Sequence, residues 1–405
     1  MKSKLNSSAR ASALQIVLAI SLLSISSILL ASSFADALSS RRGACSSSAN
    51  LVSTTKGSAA LSNVVPATTC TVISTADSGP GTLRDCLAGT ADIIDATGVS
   101  GTILLTSGEL QITHNVTING PGVANLAVDG NASFRVFDIF ASVTASISGL
   151  TVTNGLGNGG GGILNQGDLT LSDCTVSDNV AGPGCCYDGG GIYNNSSAML
   201  TITDSTVSGN SASFDGGGME NAGTLTVSNS IVSNNSAGRD GGGIDDEGYG
   251  PSITLTDSTI SGNSANGDGG GVCACGYGAP ITTVTDSTIS GNSANDGGGI
   301  ENIAQAPSGL TVLNSTISGN SATGVAQAGG GISNGGAATV SNSAISGNSA
   351  PQGYGGGVSN GSYALTVQDS TFSGNSSSSG GAIFNWTGGT TQVGNTVLNA
   401  GAAGG

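Results

Sequence analysis

The stretch TVTDSTISGNSANDGGGIEN, residues 283–302, is one copy of a phrase that recurs from Leu169 to Asn385. The Asp or Asn before each "ST" falls at Asp173, Asp204, Asn229, Asp257, Asp286, Asn314, Asn342 and Asp369, a mean step of 28 residues. A fixed period of this size is the mark of a repeat architecture.

Each copy holds three short pieces with apolar residues in alternation, represented here by Val284, Ile289 and Ile300. Period-2 alternation means strands, and no piece is long enough for a helix. One copy cannot bury its own aliphatics, so the copies must stack into a solenoid. Three strands per turn predict a three-sided parallel β-helix of about eleven coils, each adding about 4.8 Å. The Gly triplets (Gly297–Gly299 here) suit tight corners that leave no room for a Cβ. Asn292 and its seven equivalents, from Asn179 to Asn375, occupy one turn position in every copy. A ladder that satisfies turn backbone is the expected use of these asparagines. A second Asn column, including Asn165, Asn302 and Asn385, is broken at Asp246 and Ala274.

The remainder of the 405-residue chain fits around this solenoid. Lys2, Lys4 and Arg10 precede an apolar run and Ala35-Asp36-Ala37, the order of a secretory signal peptide over residues 1–37. The run is also long enough for an uncleaved anchor. Residues 38–69 read as a Ser/Ala/Thr-rich linker, 70–100 as a cap with a short helix at 82–89, and 101–168 as irregular coils. Regular repeats span 169–390, and 391–405 reads as a Gly/Ala-rich tail. A cap is needed because an open solenoid end invites edge-to-edge growth.

Without residues 1–37 the chain keeps 6 basic against 24 acidic residues. Such a surface repels nucleic acid and anionic lipid, which excludes both as partners. The expected partner is an extracellular polymer or cell-surface component, met by a secreted or surface-held monomer. Eight Cys in an exported chain suggest disulfides, with Cys70 and Cys86 as the best pair. Cys185–Cys186 and Cys273/Cys275 stand too far apart to bridge each other, and neither zinc-type spacing nor a nearby His supports a metal there.

TADSGPGTLRDCLAG, GTILLTSGELQIT and NVTINGPG, followed by the DSTISGNSA and GGGI copies, resemble secreted bacterial right-handed parallel β-helix proteins. These are grouped with the pectate-lyase-like solenoids. Phe372-Ser-Gly-Asn375 and Gly380-Gly-Ala-Ile383 are similar to the FxxN and GGA[ILV] repeats of polymorphic outer-membrane proteins. The resemblance spans about residues 70–390 and implies right-handed coiling and a surface or secreted role, such as an adhesin. About twenty residues follow Asn385, so the translocating barrel of the outer-membrane proteins is not expected here.

Enzymes of this fold cut polysaccharides, and the resemblance implies an Arg or Lys base with Ca²⁺ for lyases, or clustered Asp for hydrolases. The best acidic cluster is Asp245-Asp246-Glu247, a weak catalytic candidate because no basic or aromatic sugar platform accompanies it in the sequence. The only His is His114, and Arg84, Arg135 and Arg239 lie far apart in repeat order. No cofactor is required. Ca²⁺ is the one candidate, because Asp188, Asp215, Asp240, Asp268 and Asp296 each directly precede a Gly triplet. Stacked like charges about 5 Å apart repel unless cations bridge them.

Thr170, Thr201, Thr226, Thr254, Thr283, Thr311, Thr339 and Thr366 form an outward column, the candidate binding surface. A second column (Thr175, Thr206, Thr259, Thr288, Thr316, Thr371) has gaps at Ile231 and Ala344. Such arrays also resemble the ice-binding faces of some antifreeze solenoids, though Thr is in any case a good strand-surface residue. The leading expectation is a non-enzymatic surface-contact protein; the alternative is a polysaccharide lyase or hydrolase.

Overall fold

The computed structural model describes residues 66–182, 188–248, 252–276, 281–303, 309–325 and 328–400. The expected signal peptide, nearly all of the linker, Cys185, Cys186 and residues 401–405 lie outside them. The described chain is an all-β parallel solenoid of about twelve turns. Its first sheet has 13 strands, from Thr69–Thr71 to Thr390–Gly394, and its third has 11, from Leu110–Ile112 to Ile383–Asn385.

The copy at 283–302 shows how the phrase becomes a coil. Ile281–Thr285 lies in the first sheet, Thr288–Ser290 in the second and Ile300–Asn302 in the third. Between the last two runs a two-residue strand, Ser293–Ala294, that the alternation did not reveal because two residues carry no period. These short strands merge with the second sheet near the C-terminal end, where Thr371–Ser379 runs through both positions.

The repeat marker has a backbone cause. All eight marker Asp or Asn residues, from Asp173 to Asp369, have φ near +50°, and Asp and Asn tolerate this left-handed region better than other side chains with a Cβ. Each turns the chain from the first sheet into the second.

In-register stacking puts Val284, Ile289 and Ile300 fully inside, each on aliphatic neighbours one coil away. Burying one such side chain contributes about 1.5–3 kcal/mol, repeated at every coil. A further inward column, Leu225–Ile253–Thr282–Leu310, fills the start of the first-sheet strands. Thr282 interrupts it with a buried hydroxyl that has no hydrogen-bond partner.

The Asn ladder is continuous. Each Asn from Asn179 to Asn348 donates from Nδ2 to the Oδ1 of the next at 2.9–3.0 Å. The second column pairs likewise, at Asn165–Asn194–Asn221 and Asn302–Asn334–Asn360–Asn385.

The cap is more closely built into the solenoid than the break in pattern suggests. Thr69–Thr71 and Ile93–Asp95 are the first two strands of the first sheet. Between them a helix, Leu83–Leu87, starts at Thr82, whose hydroxyl accepts the Asp85 N–H. A disulfide ties the helix to the first strand through Cys70 and Cys86, with Cα atoms 5.6 Å apart. Asp77 accepts from Arg84, from the Thr106 N–H and hydroxyl, and from Ser107, locking cap to first coil. At the other end, the segment expected as a tail contributes two strands, Thr390–Gly394 and Val397–Ala400.

Candidate functional site

The outer face of the third sheet departs from ordinary strand alternation. The middle residue of each strand points away from the core, and register stacks Glu220, Asp245, Cys273, Glu301 and Ser333 in one column. An outward position should be wet, as the half-exposed Thr283 is on the first sheet. Here Glu220 is 1% exposed and Asp245 0%. The covering element is the turn before the strand. Its first glycine lies directly on the middle residue: a Cβ on Gly241 would stand 2.3 Å from Asp245 Cβ, and one on Gly297 2.7 Å from Glu301 Cα.

The aspartate before each triplet therefore stands beside this buried column. Backbone bonds stack the turns, with the Gly241 N–H on the Asp268 carbonyl and the Gly269 N–H on that of Asp296. The stripe of five aspartates exists, but it is not electrostatically uniform. Arg239 binds Asp215 and Glu247 and lies 3.5 Å from Asp240. Asp188 accepts the Phe214 N–H, and Glu220 accepts the Asp188 N–H. No Lys, Arg or His follows Arg239 in the sequence, so Asp268 and Asp296 receive no such pairing.

Electrostatics follow from this layout. Burial, then the charges of Asp215 and Glu220, push the Asp245 carboxyl well above the usual range. Glu301 is raised for the same first reason, with Asp268 adding to it. Asp268 is pushed up to about 6 by burial and by the charges of Asp240 and Asp296. Both oxygens of Asp245, Oε1 of Glu220 and Oε2 of Glu301 are buried with no hydrogen-bond partner.

Asp245-Asp246-Glu247 does not form one cluster. Asp246 faces the other way and accepts from Asn221 at 3.0 Å, ending the first run of the second Asn column. An Asp can accept there without having to donate onward, which suits the following Ala274. Asp245 and Glu247 remain on the outer side. Asp245 also lies by Cys273 and Cys275, the three ligand atoms being within 4.8 Å of one another. Those two sulfurs are joined to each other as a disulfide.

Arg84 and Arg135, far apart in repeat order, come together in space. Both line a cavity of about 570 Å³ beside Glu109. They serve the local framework: Arg84 binds Asp77 and the carbonyls of Gly108 and Glu109, and Arg135 binds the Glu109 carboxylate and the Gly160 carbonyl. Arg239, held by Asp215 first among its neighbours, is pushed still higher than its ordinary value and is no base.

The eight threonines are in register on the first sheet, Thr283 pairing Thr254 and Thr311. The other Thr column lies on the second sheet.

Beyond Glu301 the outer face opens into a cleft of about 230 Å³ lined by Asp268, Asp296, Glu301, Ser333 and Trp386. Trp386 packs with Phe384 and Tyr354, ring centroids 4.8–5.3 Å apart, and donates to Ser359. Glu220, Glu301 and Trp386 were not singled out from the sequence. For the two glutamates the available signal is the x of each third-sheet strand, where a charged residue at an outward position gives no hint that a glycine turn will cover it.

A family model for the Chlamydia polymorphic membrane protein repeat matches residues 257–275 and 369–385. Each segment runs from the left-handed turn residue through the turn asparagine to the third-sheet strand, and so covers the second- and third-sheet parts of a coil without its first-sheet strand. The chain is a parallel β-helix repeat protein. No curated protein sequence matches it. Among solved structures it is similar to the A-module of the Azotobacter vinelandii mannuronan C-5 epimerase AlgE6, at 15% identity over 78% of this chain and 94% of that one, TM-score 0.46. It is also similar to the catalytic unit of a GH87 α-1,3-glucanase from Streptomyces thermodiastaticus strain HF3-3, at 17% identity over 80% and 67%, TM-score 0.41. No helix among the described residues of this β-helix protein is long and apolar enough to cross a membrane.

Proposed function

We propose that this β-helix is an exported surface-contact protein, adhesin-like, that binds an extended extracellular polymer or cell-surface component. The observation that carries this reading is the in-register threonine column of the first sheet. It repeats one hydroxyl and one methyl per coil over eight coils without a shift. A rigid repeating surface meets a repeating ligand many times, so weak contacts add with little further ordering cost. The polymorphic membrane protein repeat supports the surface location.

The test is binding of the purified protein to intact cells and to a panel of neutral, acidic and amino-sugar polysaccharides. Replacing Thr254, Thr283 and Thr311 together by Lys should cut binding at least tenfold with the melting temperature nearly unchanged. Full binding by that variant would remove the face from the reading.

A second reading, a polysaccharide lyase or hydrolase, draws on the outer-side pair Asp245 and Glu247, one fully buried and one half-exposed. A general acid must reach the glycosidic oxygen. Asp245 meets that condition only if the covering turn opens. Product release from the same polysaccharides, lost in Asp245→Asn and Glu247→Gln, would favour this reading.

A further inference from the structure

The two disulfides among the described residues differ in what they hold together. Cys70–Cys86 ties the cap helix to the first strand across a separation of 16 residues. Cys273–Cys275 closes over a single residue, Ala274. The entropy that a cross-link removes from the unfolded chain grows with the loop it closes, so the second bridge stabilises less than the first by that route.

The sulfurs of the short bridge stand over a buried carboxyl. Cys273 lies in the third-sheet strand Val272–Ala274 and pairs in register with Asp245 one coil back. Cys275 follows, its N–H donating to the Asp246 carbonyl. The two sulfurs and a carboxylate oxygen of Asp245 all lie within 4.8 Å of one another. Asp245 is fully buried, and neither of its oxygens has a hydrogen-bond partner among the described residues. A disulfide has no hydrogen to give. Two thiols in the same place would each offer a weak donor, and a buried acceptor left unsatisfied is costly. Asp245 is therefore better satisfied beside the reduced pair than beside the bridge, which favours reduction. Access is one-sided. Cys273 is covered by the glycine turn, a Cβ on Gly269 falling 2.7 Å from Cys273 Cβ, whereas Cys275 is half-buried.

We propose that Cys273–Cys275 is a thiol-exchange site, open at Cys275 to a low-molecular-weight thiol and seated on Asp245. The incoming thiolate attacks Cys275 Sγ; a new S–S bond forms there as the bond to Cys273 breaks, and the electron pair leaves on Cys273 Sγ. That sulfur takes up the proton that the incoming thiol gave up and donates it in a hydrogen bond to Asp245. A second thiol attacks the incoming sulfur of the mixed disulfide and displaces Cys275 as a thiol. Two thiols are thereby oxidised to a disulfide and one bridge is reduced. The site lies on the third sheet and is independent of the surface-contact reading, which uses the first.

The purified full-length protein is equilibrated with reduced and oxidised glutathione at a series of ratios, quenched in acid, alkylated in denaturant and mapped by peptide mass spectrometry. Cys273–Cys275 should be half-reduced at a ratio about tenfold more oxidising than Cys70–Cys86 requires. Cys273→Ser should hold one glutathione on Cys275, whereas Cys275→Ser, whose remaining sulfur is covered, should hold none on Cys273. Asp245→Asn, which keeps a single acceptor oxygen, should shift the Cys273–Cys275 equilibrium about tenfold toward the disulfide. Asp286→Asn, in an exposed turn, should leave it unchanged. Circular dichroism identifies a variant that fails to fold, and Asp245→Ala then takes the place of Asp245→Asn. A Cys273–Cys275 bridge that survives until Cys70–Cys86 is reduced, glutathione carried by Cys273 instead of Cys275, or an unchanged equilibrium in a folded Asp245 variant overturns the proposal.

Discussion

Asn292 donates from Nδ2 to Oδ1 of Asn320, one coil further on, at 2.9 Å. The same Nδ2 reaches the Ile260 carbonyl one coil back, and Asn292 Oδ1 accepts both the N–H and Nδ2 of Asn263. One side chain thus satisfies groups on two neighbouring coils in a place that water does not reach. Asn292→Ala strands the Asn263 donors and the Ile260 carbonyl, and should lower unfolding stability by about 2–4 kcal/mol. Asn292→Asp should be less stable at pH 7 than at pH 4, because a buried carboxylate then meets the oxygen of Asn320. Urea melts at both pH values measure these effects; a loss under half a kcal/mol for the Ala variant would deny the ladder its role.

Thr282 stands between Ile253 and Leu310 in an aliphatic column, with its hydroxyl buried and unpaired. Valine has nearly the same shape and no polar atom to desolvate. Thr282→Val should therefore stabilise the protein by about 1 kcal/mol. Thermal melts of the two proteins decide it, and a lower melting temperature for the variant would show that the hydroxyl has a partner in solution.

Two glycines of the same coil region should respond differently to substitution. A Cβ on Gly270 would stand 2.5 Å from the carbonyl oxygens of Gly298 and Ser293, backbone on both sides. Gly291 has φ of +65° but open space around its Cβ position. Gly270→Ala should prevent stable folding of the repeats or cost several kcal/mol, roughly the upper range for overpacking. Gly291→Asn should cost little, since Asn234 holds the equivalent turn at φ of +56°. Soluble yield and melting temperature compare them.

The pH dependence of stability should run opposite to that of most acidic proteins. Burial raises Glu220 to about 9, with the charges of Glu247 and Asp215 adding to it, and burial raises Asp246 to about 7. A carboxyl with a raised folded pKa holds its proton more tightly in the folded state. Its contribution is complete below the unfolded value and is lost as pH climbs, here through about 7 and then about 9. Asp77 has the opposite sign. Burial alone would raise it, but Ser107, Arg84 and Thr106 outweigh burial and hold it well below the usual carboxylate range. Its contribution is lost as pH falls below about 4. In chelator the melting temperature should peak near pH 4–5 and fall toward pH 9, and Glu220→Gln should flatten the upper part of that fall. A steady rise from pH 5 to 9 would sink this account.

Much of the fold is legible in one copy of the repeat because its signals are local. Asp286 marks a left-handed turn, the inward Val284 alternates with its outward neighbours Thr283 and Thr285, and the same letters recur at Asp257 and Asn314. In a parallel solenoid every strand pairs with its own next copy, so sequence spacing converts directly into spatial register. The two-residue strand Ser293–Ala294 escapes because it is too short to show a period. The cap disulfide Cys70–Cys86 and the Thr column follow from the same local logic.

The candidate site was legible only in part. Sequence by itself determined that five aspartates would stack, since they share a place before the glycines. Only the tertiary structure decided which are paired and which are not. Arg239 reaches back to Asp215, 24 residues earlier, and leaves Asp268, Asp296 and Glu301 lining a cleft together with Trp386. Burial of Glu301 depends on a glycine turn lying over an outward strand position, and charge pairing depends on how far one guanidinium extends across coils. Periodicity encodes neither distance, because both arise between elements that the repeat places side by side without specifying how their side chains meet.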